Sequence, residues 1–277
     1  MRVVLFASSD FALPLLEGLH TSLHKIVAVY TQPPRLSGRG LRLKYESVGK
    51  RARELSIKLL HPEVINEPKQ LEYFSGLNVD VAIVAAYGQI LSLDLLNIPR
   101  FGFLNLHPSL LPRWRGAAPI ERTLMAGDLN TGVCTIRMVK ELDAGPILAQ
   151  QDVPIGPETT AQSLSILLSQ IGAVQVISIL DRISKFILLE EVDSTNSRLQ
   201  KELNAGMGPV LVCIADQQTA GRGRSGKIWH SPLSKNIYLS ISWEYALPYN
   251  KLEGLSLAIG VVVLDSLISH GNGEKTK

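Results

Sequence analysis

The chain has 277 residues, enough for two domains with buried cores, and is 45% hydrophobic and 19% charged. That balance matches ordinary domains folded in water and excludes a disordered chain. A net charge of +3 is too small to announce a nucleic-acid binder, so any such binding must come from a local basic patch.

Apolar runs at Val3 to Ala7, Ile26 to Thr31, Val79 to Ala86 and Phe101 to Leu106 alternate with helix-like stretches such as Phe11 to Leu19 and Glu46 to Leu55. This rhythm predicts an α/β fold with a Rossmann-like, mostly parallel sheet. Val133 to Val139 and Ile147 to Val153 follow as strands across the loop Asp143-Ala144-Gly145. A helix from Thr160 to about Ile183 closes the first domain, residues 1–185. Thr159 and Gln162 have capping-box spacing, and Leu164, Leu167, Leu168, Ile171, Val174 and Leu180 form its apolar stripe. Beyond Lys185, strands at Phe186 to Glu191, Val210 to Ala215 and Ile237 to Trp243 join helices at Ser197 to Asn204 and Leu255 to Ile268. They predict a smaller, partial α+β domain over residues 186–277.

No apolar run is read as reaching the roughly 18 to 20 residues of a membrane span, and no cleavable leader is evident. A cytoplasmic, monomeric chain with no membrane or DNA partner is the expectation. Cys134 and Cys213 lie far apart without ligand-spaced partners, so neither a disulfide nor a metal site is expected.

Asn105 and His107 stand two apart at a strand end, which turns both side chains to one side of the sheet, at the edge that faces the ligand crevice in open α/β folds. Alone, His107 reads as a hydrogen-bonded histidine before a proline turn, and Asp143 as a loop aspartate. Together, Asn105-Leu106-His107, the segment from Ser109 to Ile120 and Leu142-Asp143-Ala144-Gly145 resemble the methionyl-tRNA formyltransferase family, over Arg2 to about Lys185. The resemblance implies transfer of a formyl group from 10-formyltetrahydrofolate to the amino group of initiator methionyl-tRNA. Such a transfer passes through a tetrahedral adduct whose oxygen gains negative charge. By resemblance Asn105 and His107 stabilise that oxygen, where one donor is worth about 3 to 4 kcal/mol. Asp143 orients or protonates His107 and helps carry protons, worth about 100-fold to 10,000-fold in rate.

The family assigns Ser109, Leu110, Leu111 and Pro112 to the folate site, with Tyr87, Gly88, Ile90 and Leu91 lining the same cavity; each leucine reads equally well as ordinary core. Arg35, Arg39, Arg42 and Lys44, among glycines and prolines, look like the family's flexible basic loop that enters the tRNA acceptor stem, although most basic runs are solvated surface. Arg113 and Arg115 extend that surface. The family's carboxy-terminal barrel has no counterpart after Lys185, which predicts weakened tRNA affinity.

Gly221 to Gly226 fits G-x-G-x-x-G, but no helix pattern follows, so a dinucleotide site is rejected. Its company is more specific. Glu191 to Asn196, Gln218 to Trp229 and Gly254 to Gly260 are similar to biotin-protein ligases. That resemblance assigns Ser194, Thr195, Asn196 and Gln218 to biotin, Arg222, Gly223 and Arg224 to the loop over biotin and the adenylate formed from ATP, and Trp229 to the pocket. The ligase family's lysine-bearing Lys-Trp-Pro-Asn-Asp segment is missing, which predicts no useful ligase activity. Three alternatives stay open: a folate transformylase for a small amine, a working ligase that biotinylates acetyl-CoA carboxylase, and an inactive fusion product.

Overall fold

The computed structural model describes residues 1–37, 42–44, 46–205, 210–223, 227, 229–233, 236–242, 259 and 261. Arg39, Arg224 and all but Ile259 and Val261 of the expected helix Leu255 to Ile268 lie outside them. The chain divides into two compact units, Met1–Ser184 and Lys185–Lys277.

In the first unit a seven-stranded sheet has the order β5-β2-β1-β6-β7-β8-β9. Strands β1 (Arg2–Ala7), β2 (Lys25–Tyr30), β5 (Leu59–Leu60), β6 (Val81–Ala85) and β7 (Phe103–His107) run parallel, while β8 (Asn130–Arg137) and β9 (Ile147–Pro154) are antiparallel. Central strands read as continuous apolar runs because both faces are covered. On β1, Val3, Leu5 and Ala7 pack into one core with Leu15, Leu16 and Leu19 of α1 (Leu13–Thr21), whereas Val4 and Phe6 pack into a second with Tyr30, Phe74 and Phe103. Phe6 stacks on Tyr30 with ring centroids 4.6 Å apart. Each such fully buried large side chain contributes about 1.5 to 3 kcal/mol. The remaining helices of this unit are α2 (Ser47–Glu54), α3 (Pro68–Gly76), α4 (Leu93–Leu96), α5 (Pro119–Met125) and α6 (Ala161–Ile183), among the described residues.

Three sequence expectations need correction here. The capping box of α6 is formed by Thr160 and Ser163, not Thr159 and Gln162. Its inward stripe runs through Leu164, Leu168, Gly172, Val176, Ile179 and Leu180, while Leu167 and Val174 are exposed, Val174 at 71%. Gly172 sits on that stripe because a Cβ there would come 2.6 Å from Leu106 Cδ1; its absence lets α6 close onto β7. Finally, α6 is long and apolar enough to cross a membrane, with a mean hydropathy of 1.8 over its most apolar window, contrary to the reading that no such run exists. Here its apolar face covers the sheet and α1.

The expected basic loop is in part an antiparallel ladder: β3 (Arg35–Ser37) pairs with β4 (Arg42–Lys44), placing Arg35 opposite Lys44 and Ser37 opposite Arg42.

In the second unit β10 (Phe186–Val192) pairs parallel with β11 (Leu211–Gln218), which pairs antiparallel with β12 (Tyr238–Ser242). Helix α7 (Thr195–Asn204) packs on this sheet through Leu199, against Ile187, Leu211 and Cys213.

Candidate functional site

β7 ends at His107, so Asn105 and His107 leave the sheet where β6 and β8 flank them. The loop between β8 and β9 returns Asp143 to the same spot. Asn105 Nδ2 donates to Asp143 Oδ1 at 2.9 Å, and the Gly116 amide donates to Asp143 Oδ2 at 2.8 Å. His107 Nδ1 faces Oδ2 at 3.7 Å, too far for a direct hydrogen bond. The His107 and Asp143 side chains are each only 6% exposed.

Hydrogen-bond roles follow from this wiring. A carboxylate only accepts, so Asn105 must present its amide nitrogen to Asp143, leaving its second amide hydrogen and its carbonyl for other partners. His107 Nε2 lies 3.0 Å from the Trp114 carbonyl oxygen, which cannot donate, so Nε2 carries the hydrogen and Nδ1 is the nitrogen turned toward Asp143.

The three side chains border a cavity of about 590 Å³. Val84, Ile90, Leu106, Ile120, Met138 and Leu142 supply apolar walls; Ser9, Gln89, Glu121 and Ser165 add polar groups. Ile90 stands 86% exposed at the rim and Leu142 is exposed there too, an open apolar lip suited to a flat ring system. Backbone strain is concentrated in the same place. Six non-glycine residues have positive φ among the described residues, and Ala86, Trp114, Ala118 and Asp143 line the cavity or hold its side chains. A left-handed conformation costs such residues roughly 1 to 2 kcal/mol each, and it persists where surrounding contacts fix it, a recurrent mark of functional sites.

Tyr87 and Gly88 border the cavity. The Tyr87 ring is buried edge-on against Phe6, burial pushes its phenol well above the ordinary range, and its carbonyl accepts from Ser8 Oγ and Gln32 Nε2. Gly88 has φ +85, and a Cβ would stand 3.2 Å from Gln32 Nε2. The Ser109-Leu110-Leu111-Pro112 stretch and Leu91 are not among the lining residues. Ser109 is fully buried and its Oγ donates to the Arg113 carbonyl; Leu111 packs with Cys134 and Ile136; Leu91 belongs to the second core; Leu110 borders a separate pocket beside Arg113. These residues shape the turn behind His107. Sequence reading missed Glu121 and Ser165, since isolated polar residues on separate helices carry no spacing signal.

Of the candidate tRNA contacts, Arg113 already has its guanidinium engaged on both oxygens of Asp128, at 2.9 and 2.6 Å, whereas Arg115 is exposed.

In the second unit, Ser194, Thr195, Asn196, Gln218, Arg222 and Trp229 border one pocket of about 280 Å³. Gln218 Oε1 accepts from the Thr195 amide at 2.8 Å and from Thr195 Oγ1 at 3.1 Å, and Arg222 Nη2 donates to Ser197 Oγ at 2.9 Å. Gly223 borders a neighbouring open cleft along α7. Beside Gly221, the Trp229 N–H returns to Gly221 O and the Gly223 N–H bonds Lys227 O.

A formyl transferase family model matches residues 1–177, and a biotin/lipoate A/B protein ligase family model matches residues 188–277. The methionyl-tRNA formyltransferase of Roseobacter denitrificans is 46% identical over 185 residues, covering 67% of this chain and 61% of the relative. That of Cereibacter sphaeroides is 35% identical over 281 residues, covering 99% of this chain and 93% of the relative. Among solved structures, the phosphoribosylglycinamide formyltransferase of Bacillus halodurans superposes with a TM-score of 0.56 at 22% identity, over 66% of this chain and 95% of its own, a likeness of fold alone. The one from Anaplasma phagocytophilum gives 0.53 at 26% identity, over 65% and 85%. With a formyl transferase model spanning well over half its length and a Cereibacter relative aligned nearly end to end, the chain belongs to the formyl transferase family.

Proposed function

We propose that the first unit transfers the formyl group of 10-formyltetrahydrofolate to the α-amino group of initiator methionyl-tRNA, with Asn105, His107 and Asp143 as the reacting set. The observation that carries this reading is the convergence of a carboxamide, an imidazole and a buried carboxylate beside a 590 Å³ cavity with apolar walls. The methionyl-tRNA specificity is supported by the relatives' names and by the Arg113-to-Ile120 continuation. The amine attacks the formyl carbon, the carbon–N10 bond breaks, and the proton lost by the amine ends on N10. Asn105's remaining amide hydrogen meets the carbonyl oxygen as it gains charge. His107 Nδ1 and Asp143, 3.7 Å apart, form a pair that tightens as a proton is exchanged. An apolar slot edged by the backbone of residues 86–89 suits the pterin. Ser109 to Pro112 act from behind, by setting the turn that His107 rests on.

Arg35, Arg39, Arg42, Lys44 and Arg115 serve the tRNA. A tRNA substrate supports a cytoplasmic site of action.

The 280 Å³ pocket supports biotin binding by the second unit. Incubating the chain with methionyl-tRNA and 10-formyltetrahydrofolate, and separately with biotin and ATP, tests both statements. Formyl-methionyl-tRNA and retention of biotin are expected; formylation of small amines alone, or no biotin bound, overturns the first or the second.

A further inference from the structure

The two ionisable members of the reacting set are held by the main chain of one short segment. Trp114 O takes the His107 Nε2 hydrogen at 3.0 Å, and Gly116 N–H reaches Asp143 Oδ2 at 2.8 Å. Trp114 has φ 61 and Gly116 φ 84. A tryptophan does not adopt that conformation unaided, so contacts from elsewhere must hold it.

Asp128 supplies those contacts. Its Oδ2 accepts the Trp114 indole N–H at 2.8 Å and the Arg113 Nε hydrogen at 2.9 Å, while Oδ1 accepts from Arg113 Nη2 at 2.6 Å. Arg113 and Arg122 lie over the Trp114 ring, 4.3 and 4.8 Å from its centroid, and Arg122 Nη1 also donates to Arg115 O at 2.9 Å. Charge-assisted and forked contacts of this kind fix direction as well as distance. Asp128 is itself placed by the end of α5. Gly127, at φ 68, sends its N–H to Leu124 O, and the Asp128 N–H reaches Thr123 O, the paired bonds of a Schellman stop. The Asp128 side chain is only 16% exposed.

We propose that Asp128 is a positioning residue for formyl transfer: by tying down Trp114 and Arg113 it sets the carbonyl and amide that aim His107 and Asp143. The proposal rests on the formyl-transfer reading. It also gives Arg113 a part in the scaffold of the site, since Asp128 takes its Nε and Nη2 hydrogens.

The test compares the full chain with Asp128→Ala and Asp128→Asn, the latter keeping an acceptor for the indole. Displacing reacting groups by about 1 Å costs on the order of 100-fold, so Asp128→Ala should lose about that in kcat, with KM for both substrates little changed and the pH profile of kcat shifted. Asp128→Asn should recover part of the loss. Ring ¹⁵N shifts of His107, read without substrate, should report loss of the fixed Nε2–H form in Asp128→Ala. A loss confined to KM, an unshifted pH profile, or unchanged His107 shifts overturns the proposal. Where Asp128→Ala does not fold, Asp128→Asn and Trp114→Phe, which deletes the indole donor, carry the same readouts. A parent chain without formyl transfer would sink the functional reading instead, leaving the ¹⁵N shifts to judge whether Asp128 orients His107.

Discussion

Replacing Asp143 by Asn leaves the side chain's shape almost unchanged and turns one acceptor into a donor. Its two oxygens face two donors, Asn105 Nδ2 at 2.9 Å and the Gly116 amide at 2.8 Å. An amide has one acceptor oxygen, so with that oxygen kept on the Gly116 amide its NH₂ faces Asn105, which must turn its own carboxamide over to accept. Hydrogen bonds to a charged group are replaced by neutral ones in a site where the side chain is 6% exposed, a cost of about 1.5 to 3 kcal/mol. For a unit of this size each kcal/mol moves Tm by about 2 to 4 °C, so a fall of roughly 3 to 12 °C is expected. Catalysis suffers separately: the group that faces His107 Nδ1 no longer accepts a proton, and kcat should fall by about 100-fold to 10,000-fold. Formyl-methionyl-tRNA formation, measured well below the variant's own Tm, separates the two effects. A kcat close to the parent's, in a variant whose Tm falls as stated, would show Asp143 to be a bracket for the 116 loop and refute its catalytic role.

Neutralising Arg35, Arg42 and Lys44 to Gln should raise KM for tRNA and flatten the plot of log affinity against log salt by roughly 0.7 to 0.9 for each phosphate left without its cation; an unchanged slope would remove the hairpin from the tRNA site. Burial holds the His24 imidazole below its ordinary value, with the Met1 amino group acting in the same direction and Asp181, 3.1 Å from Nε2, opposing. The unfolded chain therefore binds this proton more readily, so the stability it contributes is whole above about pH 6.5 and is lost as pH falls below that. His24→Gln should flatten the decline in denaturant stability from about pH 7 to 5; an identical slope would show that His24 contributes nothing. Gly145→Ala would drive a Cβ into the Arg137 carbonyl across the β8–β9 turn, so loss of formyl transfer with a lowered Tm is expected, and normal activity would show that the Asp143 loop tolerates the shift.

Much was legible in the amino acids themselves. β1, β2, β6 and β7 were visible because a parallel sheet covered on both sides needs unbroken apolar runs, and the side-chain period of a strand put Asn105 and His107 on one side. The rejection of a dinucleotide site at Gly221 also needed only sequence, since a phosphate loop must open a helix. Other features were not local. The cap of α6 moved one residue, from Thr159 to Thr160, because neighbouring hydroxyls are equivalent in sequence and only backbone direction selects the cap. Leu167 and Val174 looked like core, yet the helix turns them outward, since an apolar stripe has no label for the side on which the sheet will lie. Ser109 to Pro112 were attached to the folate cavity by resemblance, and what each touches is set by packing: Ser109 Oγ ties to the Arg113 carbonyl and Leu111 packs with Cys134 and Ile136.

Sequence alone thus determined the central strands, the family and the three side chains we propose as the reacting set, because propensity, apolar periodicity and short motifs act over a few neighbours along the chain. Only the tertiary structure decided that Asp143 meets Asn105 from 38 positions away, that Arg113 is closed on Asp128, and that Trp114 turns its carbonyl to His107. Those are distances between segments, set by how β7, β8 and α5 pack, and no stretch of residues contains them.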